Sequence, residues 1–297
     1  MTENKTAVII GAGVGGITTA VYLARNGYTV SVYEKNSAPG GRCSQLIRDG
    51  HRFDLGATML LMPDIYRSIF KSLGLDLEKT VGVTPLEELY KIYFDDGKII
   101  SFTSDEDKMR RQLEQVEPGS FKESQKYVTK GYEIFRLSME RLIERNFFNI
   151  FQFINPKNIP LLFRIKAFTP HFKYTRRFFK HPHLLMAYTF QNTYVGQSPF
   201  TSPALFSMVP AAELTEGSFF PSRGGMFAVV EKIMEAAVKE GVQFNFNTPI
   251  SKIIITGKKA DGIILENGTE VKAGVVVANA DLPYVYRELL PDKRASL

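Results

Sequence analysis

The segment Ala7 to Gly16, AVIIGAGVGG, limits the fold of this chain more than any other feature. An apolar run (Ala7 to Ile10) meets a glycine turn. A helix-like stretch follows from about Gly15 to Asn26, and then a second strand-like stretch from Thr29 to Glu34. That order is the opening of a parallel βαβ unit, and Asn26-Gly27 stops the helix as a C-cap would. Gly11, Gly13 and Gly16 form the pattern G-x-G-x-x-G, with Gly15 inside the same turn. Gly11 permits the tight turn, Gly13 lets backbone approach a diphosphate, and Gly16 allows the helix to pack closely on the strand. A helix N-terminus there offers free N–H groups and about half a positive charge, and Glu34 is placed to accept hydrogen bonds from ribose hydroxyls. The triplet alone is a weak signal, but here a strand, a helix and an acidic residue accompany it. Glu34 argues against a cofactor with a 2′-phosphate, while the unit by itself leaves NAD and FAD both open.

Composition sets the bounds around that unit. A chain of 297 residues, 44% hydrophobic and 23% charged, is large enough for about two globular domains. Cys43 is the only cysteine, so no intrachain disulfide can form and a reducing, cytoplasmic setting is expected. Its neighbours read as a strand, where a free cysteine is an inert small hydrophobe. The first ten residues lack the pattern of a signal peptide, and no apolar run is long enough to predict a spanning helix. His51, His171, His181 and His183 have no metal-ligand company in sequence, so no metal site is expected.

The net charge of +6 points to anionic partners, and its distribution is informative. No Asp or Glu occurs from Arg145 to Ala212, whereas Arg145, Lys157, Arg164, Lys166, Lys173, Arg176, Arg177 and Lys180 are basic. Ten of the 23 phenylalanines lie between residues 147 and 190. No nucleic-acid motif accompanies the charge, so nucleic acid is not the expected partner.

Along the chain, hairpins are predicted around Asp49-Gly50, Asp96-Gly97 and Asn267-Gly268, with a short helix from Pro63 to Leu73. From about Ser104 to Ala212 the pattern turns mainly helical, including a long amphipathic run from Phe121 to Arg145. α/β character returns with a helix from Gly225 to Glu240, strands near Val242 to Phe246 and Ile250 to Ile255, and a buried-looking strand from Gly274 to Ala278. Ala280 to Leu290 reads as the start of a further helix.

Shortly after Glu34 comes Pro39-Gly40-Gly41-Arg42, a second glycine turn followed by a cation. It resembles the two-glycine signature of FAD-dependent oxidases and desaturases. Phe53-Asp54-Leu55-Gly56-Ala57-Thr58-Met59 resembles the element that faces the flavin in bacterial-type phytoene desaturases, and Phe220-Pro221-Ser222-Arg223-Gly224-Gly225-Met226 is similar to that family's Y-P-x-G-G-M element. The run from Val242 to Asp281 matches its later FAD-domain strands, in which Ala278 and Asn279 end the returning strand and would approach the cofactor's phosphate side. The resemblance is strongest over residues 6 to 59 and 217 to 281, and rests on composition alone in between.

The resemblance implies an α/β protein: a discontinuous Rossmann-type FAD-binding domain, residues 1–103 and 217–297, interrupted by a mainly helical substrate and membrane-facing domain, 104–216. It implies FAD as cofactor, held by Gly11, Gly13, Gly15, Gly16, Glu34, Gly41, Arg42, Gly56, Ala57, Thr58, Met59, Ile250 and Ala278. Gly41 would give backbone access and Arg42 a cation near the phosphates. The implied reaction is dehydrogenation of a carbon–carbon single bond in a lipophilic carotenoid, with hydride passing to the flavin. The phenylalanine-rich, acid-free middle fits such a substrate and peripheral attachment to the cytoplasmic membrane. A carotenoid isomerase or saturase, an amine-oxidase-type flavoenzyme and a non-catalytic FAD-binding fragment remain open alternatives. No catalytic side chain is identifiable, and the oligomeric state stays open. Family members carry a further glycine-rich FAD segment beyond this length, so weak FAD retention is expected if the chain ends at Leu297.

Overall fold

The structure is a computed structural model that describes residues 5–156 and 158–291. It divides into two compact units, one formed by residues up to 84 together with 220 onward, the other by residues 85–219.

The first unit is built on a parallel four-stranded sheet. Strand β1 (Thr6–Ile10), helix α1 (Val14–Arg25) and strand β2 (Thr29–Tyr33) form the predicted βαβ beginning. The strand order is Gln243–Asn245, β2, β1, Val275–Ala278, with Thr6 opposite Thr29, Ala7 opposite Val275 and Ser31 opposite Gln243. An all-parallel sheet must be covered on both faces, which explains why β1 has no polar residue from Ala7 to Ile10. Ala7 and Ile9 pack with Ile17, Ala20 and Val21 of α1 and with Val229, Val230 and Ile233 of the helix Phe227–Lys239. Val8 and Ile10 share a second cluster with Ile250, Ile253, Ile263, Val285 and Leu289. Each large aliphatic side chain fully buried in this way stabilises the unit by roughly 1.5–3 kcal/mol relative to exposure.

The first unit also holds an antiparallel meander (Ile250–Thr256, Lys259–Leu265, Glu270–Lys272) and a hairpin (Gln45–Arg48 with His51–Asp54). At the tip of that hairpin Asp49 and Gly50 both take positive φ, 51° and 79°, as a two-residue I′ turn requires. Cys43 departs from its sequence reading. It closes a 3₁₀ turn, Gly41–Cys43, rather than sitting in a strand, because Gly40 and Gly41 at φ 116° and 56° curl the chain before it can extend.

The second unit opens with the hairpin Glu88–Tyr93 and Ile99–Thr103, followed by helices Glu106–Val116 and Ser120–Ser138 and several short helices ending with Met208–Glu216. The structural division thus falls between residues 84 and 85, not at the expected 103/104. The reason is packing: Leu89, Ile100 and Phe102 of the hairpin share a core with Met109, Leu113, Tyr127 and Tyr188. The return lies between 219 and 220, close to the expected 216/217. The run from Phe121 to Arg145 forms a helix only to Ser138, continuing as a wider π turn over Met139–Ile143. Among the described residues no helix is long and apolar enough to cross a membrane.

Candidate functional site

A cleft of about 710 Å³ opens at the C-terminal end of β1. In a parallel α/β sheet this is where ligands bind, because the turn leaving the strand feeds the positive end of the next helix. Gly11 leaves β1 at φ 96°, a conformation that side chains resist. Gly13 caps α1 with extended backbone, and the first turn of α1 has neither an acidic residue nor a side-chain cap. Its amides therefore face the cleft as donors suited to an anion. Gly16 is fixed by closeness: a Cβ there would lie 2.3 Å from the Gly11 carbonyl oxygen.

The second glycine turn stands against the first. Gly40 N–H donates to the Ala12 carbonyl at 2.8 Å, Gly13 and Gly40 form an isolated bridge, and a Cβ on Gly41 would lie 3.5 Å from the Gly13 Cα. Backbone from two glycine turns thus lines one stretch of wall, leaving room for a group no side chain would admit.

Glu34 is buried and lines the cleft. One carboxylate oxygen accepts from Ala12 N–H at 2.8 Å and the other from Asn36 N–H at 2.9 Å. It therefore ties the glycine turn to the end of β2, and each oxygen keeps a lone pair for a ligand hydroxyl. Ile250 borders the same cleft beside Thr248 and Pro249, and Thr248 N–H bonds the Glu34 carbonyl at 2.9 Å. Arg42 also lines it. Its guanidinium is exposed and meets the Asp281 carboxylate at 2.8 and 3.0 Å, so the cation already has a counter-charge. Cys43 borders the cleft as well, and burial, helped by the nearby Asp54 charge, raises its thiol pKa and keeps it protonated.

Other expected residues lie elsewhere. Gly56, Ala57, Thr58 and Met59 do not line this cleft, and the first three are exposed. Gly56 is needed because a Cβ would meet the Arg42 carbonyl oxygen at 1.8 Å, which sets it against the second glycine turn. Asp54 has a role that sequence did not suggest. Its carboxylate accepts from Met226 N–H at 3.1 Å and Phe227 N–H at 3.4 Å, capping the helix Phe227–Lys239, and Gly225 is required because a Cβ would lie 2.5 Å from Asp54 Oδ2.

Ala278 ends its strand one residue short of the cleft, whereas Asn279, expected beside it, lines the cleft. Asn279 N–H donates to the Ile10 carbonyl at 2.8 Å, and its side-chain amide lies within 2.9 Å of where a Cβ on Gly13, Gly15 or Gly16 would be. One asparagine thus sets the depth of the glycine turn. The sequence signal was its position directly after a buried parallel strand.

These features fit FAD: paired glycine turns and open helix amides for a diphosphate, a buried carboxylate by the ribose position, and an apolar wall at Ile250. Among solved structures the chain is similar in fold to a putrescine oxidase redesigned in its cofactor binding (TM-score 0.66, 16% identity, 98% of this chain and 62% of that one). It is similar also to a CLA-producing fatty acid isomerase from P. acnes (TM-score 0.65, 16% identity, 99% and 63%). In sequence it is 36% identical over 296 residues to a zeta-carotene-forming phytoene desaturase of Myxococcus xanthus, covering 100% of this chain and 57% of that protein. Identity is 37% over 298 residues with a phytoene desaturase of Phycomyces blakesleeanus (99% and 51%). It is 31% over 285 residues with a 4,4′-diapophytoene desaturase of Staphylococcus haemolyticus (95% and 56%). The chain spans about half the length of the curated relatives it matches. The flavin-containing amine oxidoreductase profile matches residues 14–296, which takes in α1, the second glycine turn and Asn279, and the chain accordingly belongs to that family of FAD-dependent oxidoreductases.

Proposed function

We propose that this chain is the FAD-binding and substrate-facing part of a carotenoid desaturase that removes hydrogen from a carbon–carbon single bond of a polyene. The observation that carries the reading is identity of 31–37% along nearly the whole chain with relatives named for phytoene and diapophytoene desaturation, joined to a cleft that fits the cofactor. Bound FAD would supply the two-electron acceptor, chemistry that no side chain here can replace.

What the chain contributes is binding and placement. The first-turn amides of α1 and the backbone of Gly40 and Gly41 would neutralise the diphosphate. Glu34 would hold the adenosine ribose while keeping the glycine turn closed. Asp54 fixes the start of the helix Phe227–Lys239, which packs on the same core as α1. No side chain is assigned a proton-transfer role.

A lipophilic substrate would be met at a membrane surface, and we infer peripheral attachment on the cytoplasmic side. Phe148, Phe151, Phe163 and Phe168 of the second unit are all strongly exposed, a state that water disfavours and a lipid interface accommodates. The test is product analysis with purified protein, added FAD and phytoene in liposomes. Products of longer conjugation support the reading. Unchanged conjugation with a shifted cis/trans pattern would indicate isomerisation instead, and turnover of soluble amines without lipid would contradict it.

A further inference from the structure

The second unit holds a depression of about 460 Å³ whose chemistry differs from that of the cofactor cleft. Its floor is apolar and buried: Ile134 from the helix Ser120–Ser138, with Tyr174 and Phe178. Above the floor stand five cations, Lys126, Lys130, Arg164, Lys166 and Arg177, against two carboxylates, Glu123 and Glu133. Lys126 pairs with Glu123 at 2.6 Å and Arg164 with Glu133 at 2.5 Å. Lys130, Lys166 and Arg177 have no carboxylate partner among the described residues. Two of the three are placed by aromatic faces, Lys130 Nζ lying 5.4 Å from the Phe178 ring centre and the Arg177 guanidinium 5.8 Å from that of Tyr174. Three cations without a carboxylate partner around a buried apolar floor suit an anion with several acceptor oxygens, the chemistry of a phosphate.

The surroundings select the source of that phosphate. Phe163 and Phe168 flank Arg164 and Lys166 in the chain, are 63% and 67% exposed, and sit 5.3 Å apart, while Ile165 between the two cations is fully buried. A free phosphate has no use for an exposed aromatic pair beside its cations, whereas a lipid places a phosphate and hydrocarbon side by side. We propose that this pocket binds the phosphate headgroup of an anionic membrane lipid, with Lys130, Lys166 and Arg177 as its contacts and Phe163 and Phe168 entering the adjoining hydrocarbon. The proposal rests on the membrane-surface reading above and goes further by naming the site and its ligand.

The experiment is co-sedimentation with phosphatidylcholine vesicles, with and without phosphatidylglycerol. Wild type is compared with K130Q/K166Q/R177Q and with K122Q/K173Q/R176Q, which removes the same charge from exposed positions of the same unit outside the pocket. Thermal unfolding checks that both variants remain folded. A pocket requires the first variant to lose roughly tenfold more of the preference for phosphatidylglycerol than the second. Phe163→Ser with Phe168→Ser should weaken binding to both vesicle types alike. Equal losses in the two charge variants would overturn the pocket and leave the membrane reading standing. Absence of wild-type binding to either vesicle would overturn the membrane reading itself. Inorganic phosphate raising the unfolding temperature of wild type but not of K130Q/K166Q/R177Q, without any vesicle binding, would overturn the lipid as its source.

Discussion

Glu34 and Asn279 illustrate how single side chains make a backbone site. Glu34 accepts two backbone N–H bonds while buried, so Glu34→Gln leaves one N–H without an acceptor of the same charge. A bond to a charged acceptor contributes about 1.5–3 kcal/mol. FAD affinity, read by flavin fluorescence quenching, should therefore fall by roughly tenfold or more, while far-UV circular dichroism stays native. Unchanged affinity would mean that the carboxylate has no part in shaping the turn. Gly16→Val should lower stability, because β-branched bulk must displace the Gly11 carbonyl. Overpacking of this kind costs about 1–3 kcal/mol, measurable by urea denaturation. Glu34 was legible because its spacing follows from strand geometry. Asn279 was legible as the end of the returning strand, but its hold on Gly11, 268 positions away, was not, because only the closed sheet brings the two together.

At the level of elements, local chemistry was read well and distant pairing was not. Asp49-Gly50 and Asp96-Gly97 announce hairpins because the turn residues carry their own backbone preference, and both hairpins are present. The Phe53-Asp54 element read as flavin-facing and the Gly224-Gly225-Met226 element as a separate family motif. In the structure they meet each other, with Asp54 capping a helix that begins 173 positions later. Asp54→Ala should therefore destabilise the first unit by about 1 kcal/mol, as loss of an N-cap does, visible as a lower denaturant midpoint with unchanged slope. A variant as stable as wild type would show that the cap is idle. The early hairpin Glu88–Tyr93 and Ile99–Thr103 was assigned to the wrong unit because strand patterning says nothing about which core a hairpin joins.

At the scale of the molecule, the second unit carries a buried polar network that sets a pH limit. His171 is fully buried, Tyr127 Oη lies 2.7 Å from its Nε2 and Asn192 Oδ1 lies 2.6 Å from its Nδ1. Burial, only partly opposed by the Asn192 bond, lowers its pKa from 6.5 to about 4. The folded chain keeps the ring neutral while the unfolded chain takes a proton below 6.5, so stability falls as pH drops from 6.5 towards 4. The loss reaches about 3 kcal/mol at most. Urea midpoints between pH 7.5 and 4.5 should show this decline in wild type and a flatter profile in His171→Asn; parallel profiles would remove His171 as the cause. Desaturation joins the cofactor cleft of the first unit to the polyene, and anaerobic absorption spectroscopy of the FAD-loaded protein mixed with phytoene in liposomes follows both at once. The oxidised-flavin band should bleach as absorption of a longer conjugated polyene rises in proportion. A flavin band that stays oxidised with phytoene yet bleaches with a soluble amine would contradict it.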